Sequence, residues 1–250
     1  MIEFIKKQIN KAGFDIVKLN KPTKWPLDFE GEHLNIIKKV KPFTMTTPER
    51  VFGLVEAVKY VVKNKIVGDV VECGVWKGGS MLAIADSLTL LNDHSRQLFL
   101  YDTFEGMSEP TEKDISHDNM KAEGMLSSDA DKEKNLVWAY STLDEVKKTM
   151  ALSNYSQQNI HYIKGKVEDT IPHHLPTEIA LLRLDTDWYE STKHELIHLY
   201  PRLVKGGVLI IDDYGYWKGA RKAVDEYIEE NNLQLLLNRM DETGRIAVKQ

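Results

Sequence analysis

Apolar residues recur along this chain with two periods, and the periods alternate. Val51, Leu54, Val55, Val58 and Val62 return at helical spacing. The segment opens on Thr46-Thr47-Pro48-Glu49, a helix start with a threonine cap at Thr46, an early proline and an acid three residues on. Asp69–Cys73 then reads as a first buried strand, Ser80–Leu91 as a helix and Gln97–Asp102 as a second strand. Helix Thr142–Leu152, strand Asn159–Lys164, strand Ile179–Asp185, helix Ser191–Leu203, strand Val208–Asp212 and helix Ala220–Asn231 continue the alternation. Two last strands, Gln234–Asn238 and Arg245–Lys249, flank the turn Asp241-Glu242-Thr243-Gly244. Strand–helix units that end in a hairpin predict an α/β fold: a doubly wound sheet, mostly parallel, with one reversed strand.

Two stretches depart from the pattern. Residues 1–45 form an N-terminal extension, with a short stripe of Ile2, Ile5 and Ile9 and then Pro22, Trp25 and Pro26. It is expected to be a lid or an oligomer contact. The domain proper is expected over 46–250. From Thr103 to about Leu136 periodicity dissolves, and an insert of that length (103–136) predicts a functional loop or lid.

Composition narrows the class. The chain has 250 residues, 42% apolar and 28% charged, which suits one globular α/β domain. A net charge of −5 offers no general attraction for nucleic acid. The single Cys73 excludes a disulfide framework and suits a reducing compartment. No apolar run spans a bilayer and no signal-type leader opens the chain, so the expected location is cytoplasmic.

The candidate chemistry lies at strand ends, where open α/β sheets bind ligands. Asp185 and Asp187 follow one buried run, and Asp212-Asp213 follow Gly207-Val208-Leu209-Ile210-Ile211. Carboxylates so gathered repel unless a cation lies between them, which predicts a hard divalent ion, magnesium, on Asp185, Asp212 and Asp213. Asp187 is the candidate base, with Asp185 as its alternative. Upstream, Glu72-Cys73-Gly74-Val75-Trp76-Lys77-Gly78-Gly79-Ser80 lacks the spacing of the dinucleotide fingerprint. An acid at the mouth of such a turn suits a ligand with ammonium or sulfonium charge, S-adenosylmethionine. Gly74, Gly78, Gly79 and Ser80 would let it approach, Glu72 would face its positive charge, and Asp102, beside Thr103, would accept ribose hydroxyls. Val167 and Glu168 are candidates for the adenine edge. A competing pattern, His194-Glu195-Leu196-Ile197-His198, matches the H-E-x-x-H of zinc hydrolases, with Glu195 as base. Its helix must pack on the sheet and no third ligand follows, so a pair of surface histidines is the plainer reading. A donor-binding protein without turnover is a further alternative.

Five separated motifs resemble one family. They are Met45-Thr46-Thr47-Pro48-Glu49-Arg50, Val71 to Ser80, Tyr101-Asp102-Thr103-Phe104-Glu105-Gly106-Met107, Leu184-Asp185-Thr186-Asp187-Trp188-Tyr189-Glu190-Ser191-Thr192 and Ile211-Asp212-Asp213-Tyr214-Gly215. In this order they are similar to the macrocin O-methyltransferase (TylF) family. The resemblance implies a class I, Rossmann-like methyltransferase fold with a seven-stranded sheet, S-adenosylmethionine as donor and a divalent metal. It implies metal ligands at Asp185, Asp212 and Asp213, and a lid beginning at Asp102. The expected acceptor is a sugar hydroxyl of a glycosylated natural product, a polysaccharide or another glycoconjugate, and the expected assembly a homo-oligomer.

Overall fold

The computed structural model describes residues 25–250 except 129, 130 and 133. The Ile2/Ile5/Ile9 stripe therefore lies outside the described residues. The strands are β1 (Asp69–Cys73), β2 (Leu98–Asp102), β3 (Ile160–Lys164), β4 (Ile179–Leu184), β5 (Leu203–Ile211), β6 (Asn238–Arg239) and β7 (Arg245–Val248). They form one seven-stranded sheet in the order β3-β2-β1-β4-β5-β7-β6. The first five strands run parallel, and β7 alone opposes its neighbours. Chain order reverses between β1 and β4, so a crevice opens above their carboxyl ends.

The helices are α1 (Gly31–Val40), α2 (Pro48–Lys63), α3 (Gly79–Leu90), α4 (Ala122–Ser127), α5 (Leu143–Met150), α6 (Val167–Thr170), α7 (Tyr189–Leu199) and α8 (Lys218–Glu230). Two cores result, one on each face of the sheet. Val70, Ala180 and Leu181 pack with α1, α2 and α3. Val71, Leu182 and Leu209 pack with α7 and α8. All six residues of β4 are buried, as a strand covered on both faces and both edges requires.

Several boundaries differ from the sequence reading. The cap of α2 is Thr47, whose Oγ1 accepts from Arg50 N at 3.2 Å, because Pro48 is the first helical residue. The helix expected to Leu203 stops at Leu199. A 3-10 turn, Tyr200–Arg202, follows around Pro201, and Leu203 opens β5. The strand expected at Gln234–Asn238 shrinks to β6. Leu233, Leu235 and Leu237 still pack on the second core, but only Asn238 and Arg239 find ladder partners on β7. Helix α1 carries Ile36, Ile37 and Val40 into the main core, so part of the expected extension belongs to the body of the domain.

Candidate active site

The crevice is a cleft of about 390 Å³. Its donor-side wall follows β1. There the chain turns at Gly74, whose φ is +80°, where a side chain is strained. A Cβ at Gly74 would also drive into the carbonyl of Asp185, because the ends of the paired strands β1 and β4 lie side by side at this point. Asp102 ends β2 and grips the turn. Its Oδ2 accepts from Val75 N at 2.7 Å and Trp76 N at 3.1 Å, and its Oδ1 from Phe104 N at 2.6 Å. Burial raises the Asp102 carboxyl above the usual carboxylate range, and the three amides pull back against that rise. Gly74, Gly79, Ser80, Asp102, Thr103, Val167 and Glu168 all line the cleft.

Two expected donor residues stand elsewhere. Gly78 caps α3 from a left-handed conformation and does not line the cleft. Glu72 is 1% exposed and lies beneath the cleft. Its neighbour in the β1–β4 register is Arg183, and side chains at paired positions share a face of the sheet. Arg183 Nη1 donates to Glu72 Oε1 at 2.5 Å and to Asp185 Oδ2 at 2.6 Å. Its Nη2 donates to Asp212 Oδ1 at 2.6 Å and to Thr46 Oγ1 at 3.2 Å. Burial lifts the Glu72 carboxyl to about 7 despite its arginine. The acid expected to meet a ligand's positive charge is thus occupied by a charge of the protein's own.

The strand-end aspartates do converge. Asp185, Asp187 and Asp213 each offer an oxygen within 4.8 Å of the others. Loss of water drives Asp185 and Asp213 well above the ordinary range, and the charges of neighbouring aspartates drive them further. The same desolvation lifts Asp187 to about 7. Asp213 Oδ2 is buried and has no hydrogen-bond partner. Asp187 adopts φ +68°, an uncommon conformation for a residue with a side chain. Asp212, expected as a third ligand, stands apart from this trio. One of its oxygens accepts from Arg183 and the other from Arg50, whose Nε lies 2.9 Å from Asp241 in the β6–β7 turn. It is an electrostatic hub between the buried Arg183 and the half-buried Arg50.

The opposite wall is apolar. Met107, Met125, Leu136, Val137, Tyr216 and Trp217 line it, mostly from the insert. Sequence reasoning missed Arg50 and Arg183. A lone arginine in Leu181-Leu182-Arg183-Leu184 was the available signal, since a buried guanidinium demands carboxylate partners. The zinc pattern does not assemble. His194 and His198 stack with ring centroids 4.4 Å apart, while Glu195 is fully buried and accepts from Thr186 Oγ1 at 2.8 Å. Among the described residues, those three side chains form no metal-sized group.

Known proteins match this architecture. A model of the family described as macrocin-O-methyltransferase (TylF) matches residues 34–248. The 8-demethyl-8-(2,3-dimethoxy-alpha-L-rhamnosyl)-tetracenomycin-C 4'-O-methyltransferase of Streptomyces olivaceus is 32% identical over 201 residues, 80% of this chain and 73% of its own. The demethyldecarbamoylnovobiocin O-methyltransferase of Streptomyces niveus is 30% identical over the same shares of both chains. The mycinamicin III 3''-O-methyltransferase of Micromonospora griseorubida is 29% identical, over 80% of this chain and 76% of its own. Among solved structures, the O-methyltransferase NovP superposes with a TM-score of 0.71 at 29% identity, over 83% of this chain and 82% of its own. The calicheamicin methyltransferase CalS11 shares the fold, with a TM-score of 0.60 at 16% identity over 94% of this chain and 99% of its own. The chain belongs to the macrocin-O-methyltransferase (TylF) family and is an S-adenosylmethionine-dependent O-methyltransferase.

Proposed function

We propose that this enzyme methylates a sugar hydroxyl of a glycosylated small molecule or glycoconjugate, with a divalent cation, magnesium, at the strand-end aspartates. One observation carries the reading. Three carboxylates crowd within 4.8 Å in a cleft that the glycine turn and Asp102 also line. Burial raises all three acids and the charges of neighbouring aspartates add to the rise, while, among the described residues, Asp213 Oδ2 has no hydrogen-bond partner. Hard oxygen donors with room for further ligands suit magnesium. Asp185 and Asp213 would hold it; Asp212, which the family resemblance implies as a third ligand, has its two oxygens taken by Arg183 and Arg50. When bound, the cation lowers the pKa of an alcohol, and the donor supplies an electrophilic methyl group.

The chain's own residues do the rest. Gly74, Gly79 and Ser80 admit the donor to the backbone, with Val167 and Glu168 toward its adenine. A carboxylate offers about four acceptor sites, so Asp102, with three amides bound, keeps capacity for a ribose hydroxyl. Asp187 takes the acceptor's proton. The apolar wall from Met107 to Trp217 excludes water and packs the acceptor. The name of the Streptomyces olivaceus relative carries a rhamnosyl compound, which supports a sugar acceptor here.

The test is transfer of labelled methyl from S-adenosylmethionine to a panel of glycosides. Magnesium should support turnover and excess chelator abolish it. Asp213→Asn and Asp187→Asn should each cost on the order of a hundredfold in turnover or more, with S-adenosylhomocysteine affinity within about threefold of the parent. Full activity in chelator would overturn the metal. Donor binding with no transfer to any glycoside would overturn the acceptor.

A further inference from the structure

Helix α7 begins two residues after Asp187, and the side chain of its N-cap, Trp188, accepts no amide of the helix. The cap comes instead from the insert. Asp114 Oδ1 accepts from Tyr189 N, the first amide of α7, at 2.8 Å. The carboxylate is 1% exposed, and its Oδ2 accepts from Thr111 N at 2.7 Å and Thr111 Oγ1 at 2.9 Å. Gly219 makes the approach possible, since a Cβ there would overlap Asp114 Oδ1. Neighbouring residues seat the same segment. Trp188 Nε1 donates to Ser108 O at 3.1 Å, His117 N to Tyr216 O at 2.8 Å and Lys218 N to Ile115 O at 2.9 Å. The last two bracket Trp217, which packs edge-on against Trp188 with ring centroids 4.9 Å apart and lines the same cleft as Asp187.

We propose that Asp114 is a positioning residue, a cap carried by the insert that makes the geometry of Asp187 depend on the seating of residues 108–122. With the segment seated, α7 is capped and the turn Asp185-Thr186-Asp187 is held between a fixed helix start and Trp217. With it lifted, the first amides of α7 lose their acceptor and Trp217 loses its flank. The strained Asp187 backbone is then free to relax. Proton removal is thereby confined to the covered cleft. The inference rests on the reading of Asp187 as the base.

The experiment compares Asp114→Ala, Asp114→Asn and Gly219→Ala with the parent by amide hydrogen exchange, and by kinetics on a glycoside accepted in the labelled-methyl screen. Asp114→Ala should speed exchange at Tyr189 about fivefold or more, together with His117 and Lys218. Turnover should fall on the order of tenfold or more, with KM for S-adenosylmethionine within about twofold. Asp114→Asn, which retains an acceptor oxygen, should recover most of both. Gly219→Ala, which leaves the aspartate in place but displaces it, should copy Asp114→Ala. Faster exchange at Tyr189 alone with parental turnover would reduce Asp114 to a local cap and overturn the proposal, as would unchanged exchange throughout. Undiminished turnover in Asp187→Asn would instead overturn the base assignment, while the exchange pattern would still report the coupling.

Discussion

Arg183 sets the character of the site at the scale of single residues. A guanidinium buried in a strand interior is costly unless every donor is met, and here Glu72, Asp185, Asp212 and Thr46 meet it. The arrangement has a signature in pH. Glu72 titrates near 7 in the folded protein and near 4.5 as an ordinary glutamate. A raised acid contributes stability that is full below its unfolded pKa and is lost as pH rises through the folded one. Between pH 4.5 and about 7 the parent should therefore lose stability relative to Glu72→Gln, read as converging or crossing urea midpoints. A constant difference across that window would contradict the assignment. The network also changes how Asp212 should be probed. Asp212→Ala strands the buried Arg183 and the half-buried Arg50, so loss of activity there would report stability as much as chemistry; Asp213→Asn is the cleaner variant.

Elements succeed or fail in the sequence by how locally they are specified. Asp69–Cys73 is marked by Val70, Val71 and Cys73 just ahead of a glycine turn and matches its strand residue for residue. Thr142 and Glu145 form a reciprocal capping box, and α5 starts where that box puts it. Helix α7 was overrun because Tyr200-Pro201-Arg202 keeps a helical look while Pro201 changes the hydrogen bonding. The four-residue α6 has no period to read. The strand-end aspartates were legible as a group, but which of them faces which was not, since the partners of Asp212 arrive from β4 and α2. The close approach of the β1 and β4 ends carries its own prediction. Gly74→Ala should destabilise the fold by about 2 kcal/mol or more and remove S-adenosylhomocysteine binding, because both the left-handed φ and the Asp185 carbonyl oppose a side chain. Chemical denaturation and calorimetric titration would check the two halves separately.

For the molecule as a whole, the switch in strand order decides where chemistry can occur. Donor and acceptor walls come from segments distant in sequence, and only the sheet brings them together, so occupancy of the cleft should stabilise the entire domain. At about a hundred times its Kd, S-adenosylhomocysteine should raise Tm by about 5–10 °C, and NAD should leave it unchanged. A shift with NAD alone would return a nicotinamide enzyme to consideration. Among the described residues no helix is long and apolar enough to cross a membrane.

The two sides of that cleft differ in how freely they can change. Every charge on the Arg50–Asp212–Arg183–Glu72 floor answers another, so replacing any one of them strands its neighbour. The methionine, leucine and valine facing it carry no such obligation and tolerate exchange among apolar shapes. Laboratory evolution toward a new acceptor should accordingly find its gains at Met107, Met125, Leu136 and Val137, with the ionic floor passing unaltered from parent to descendant.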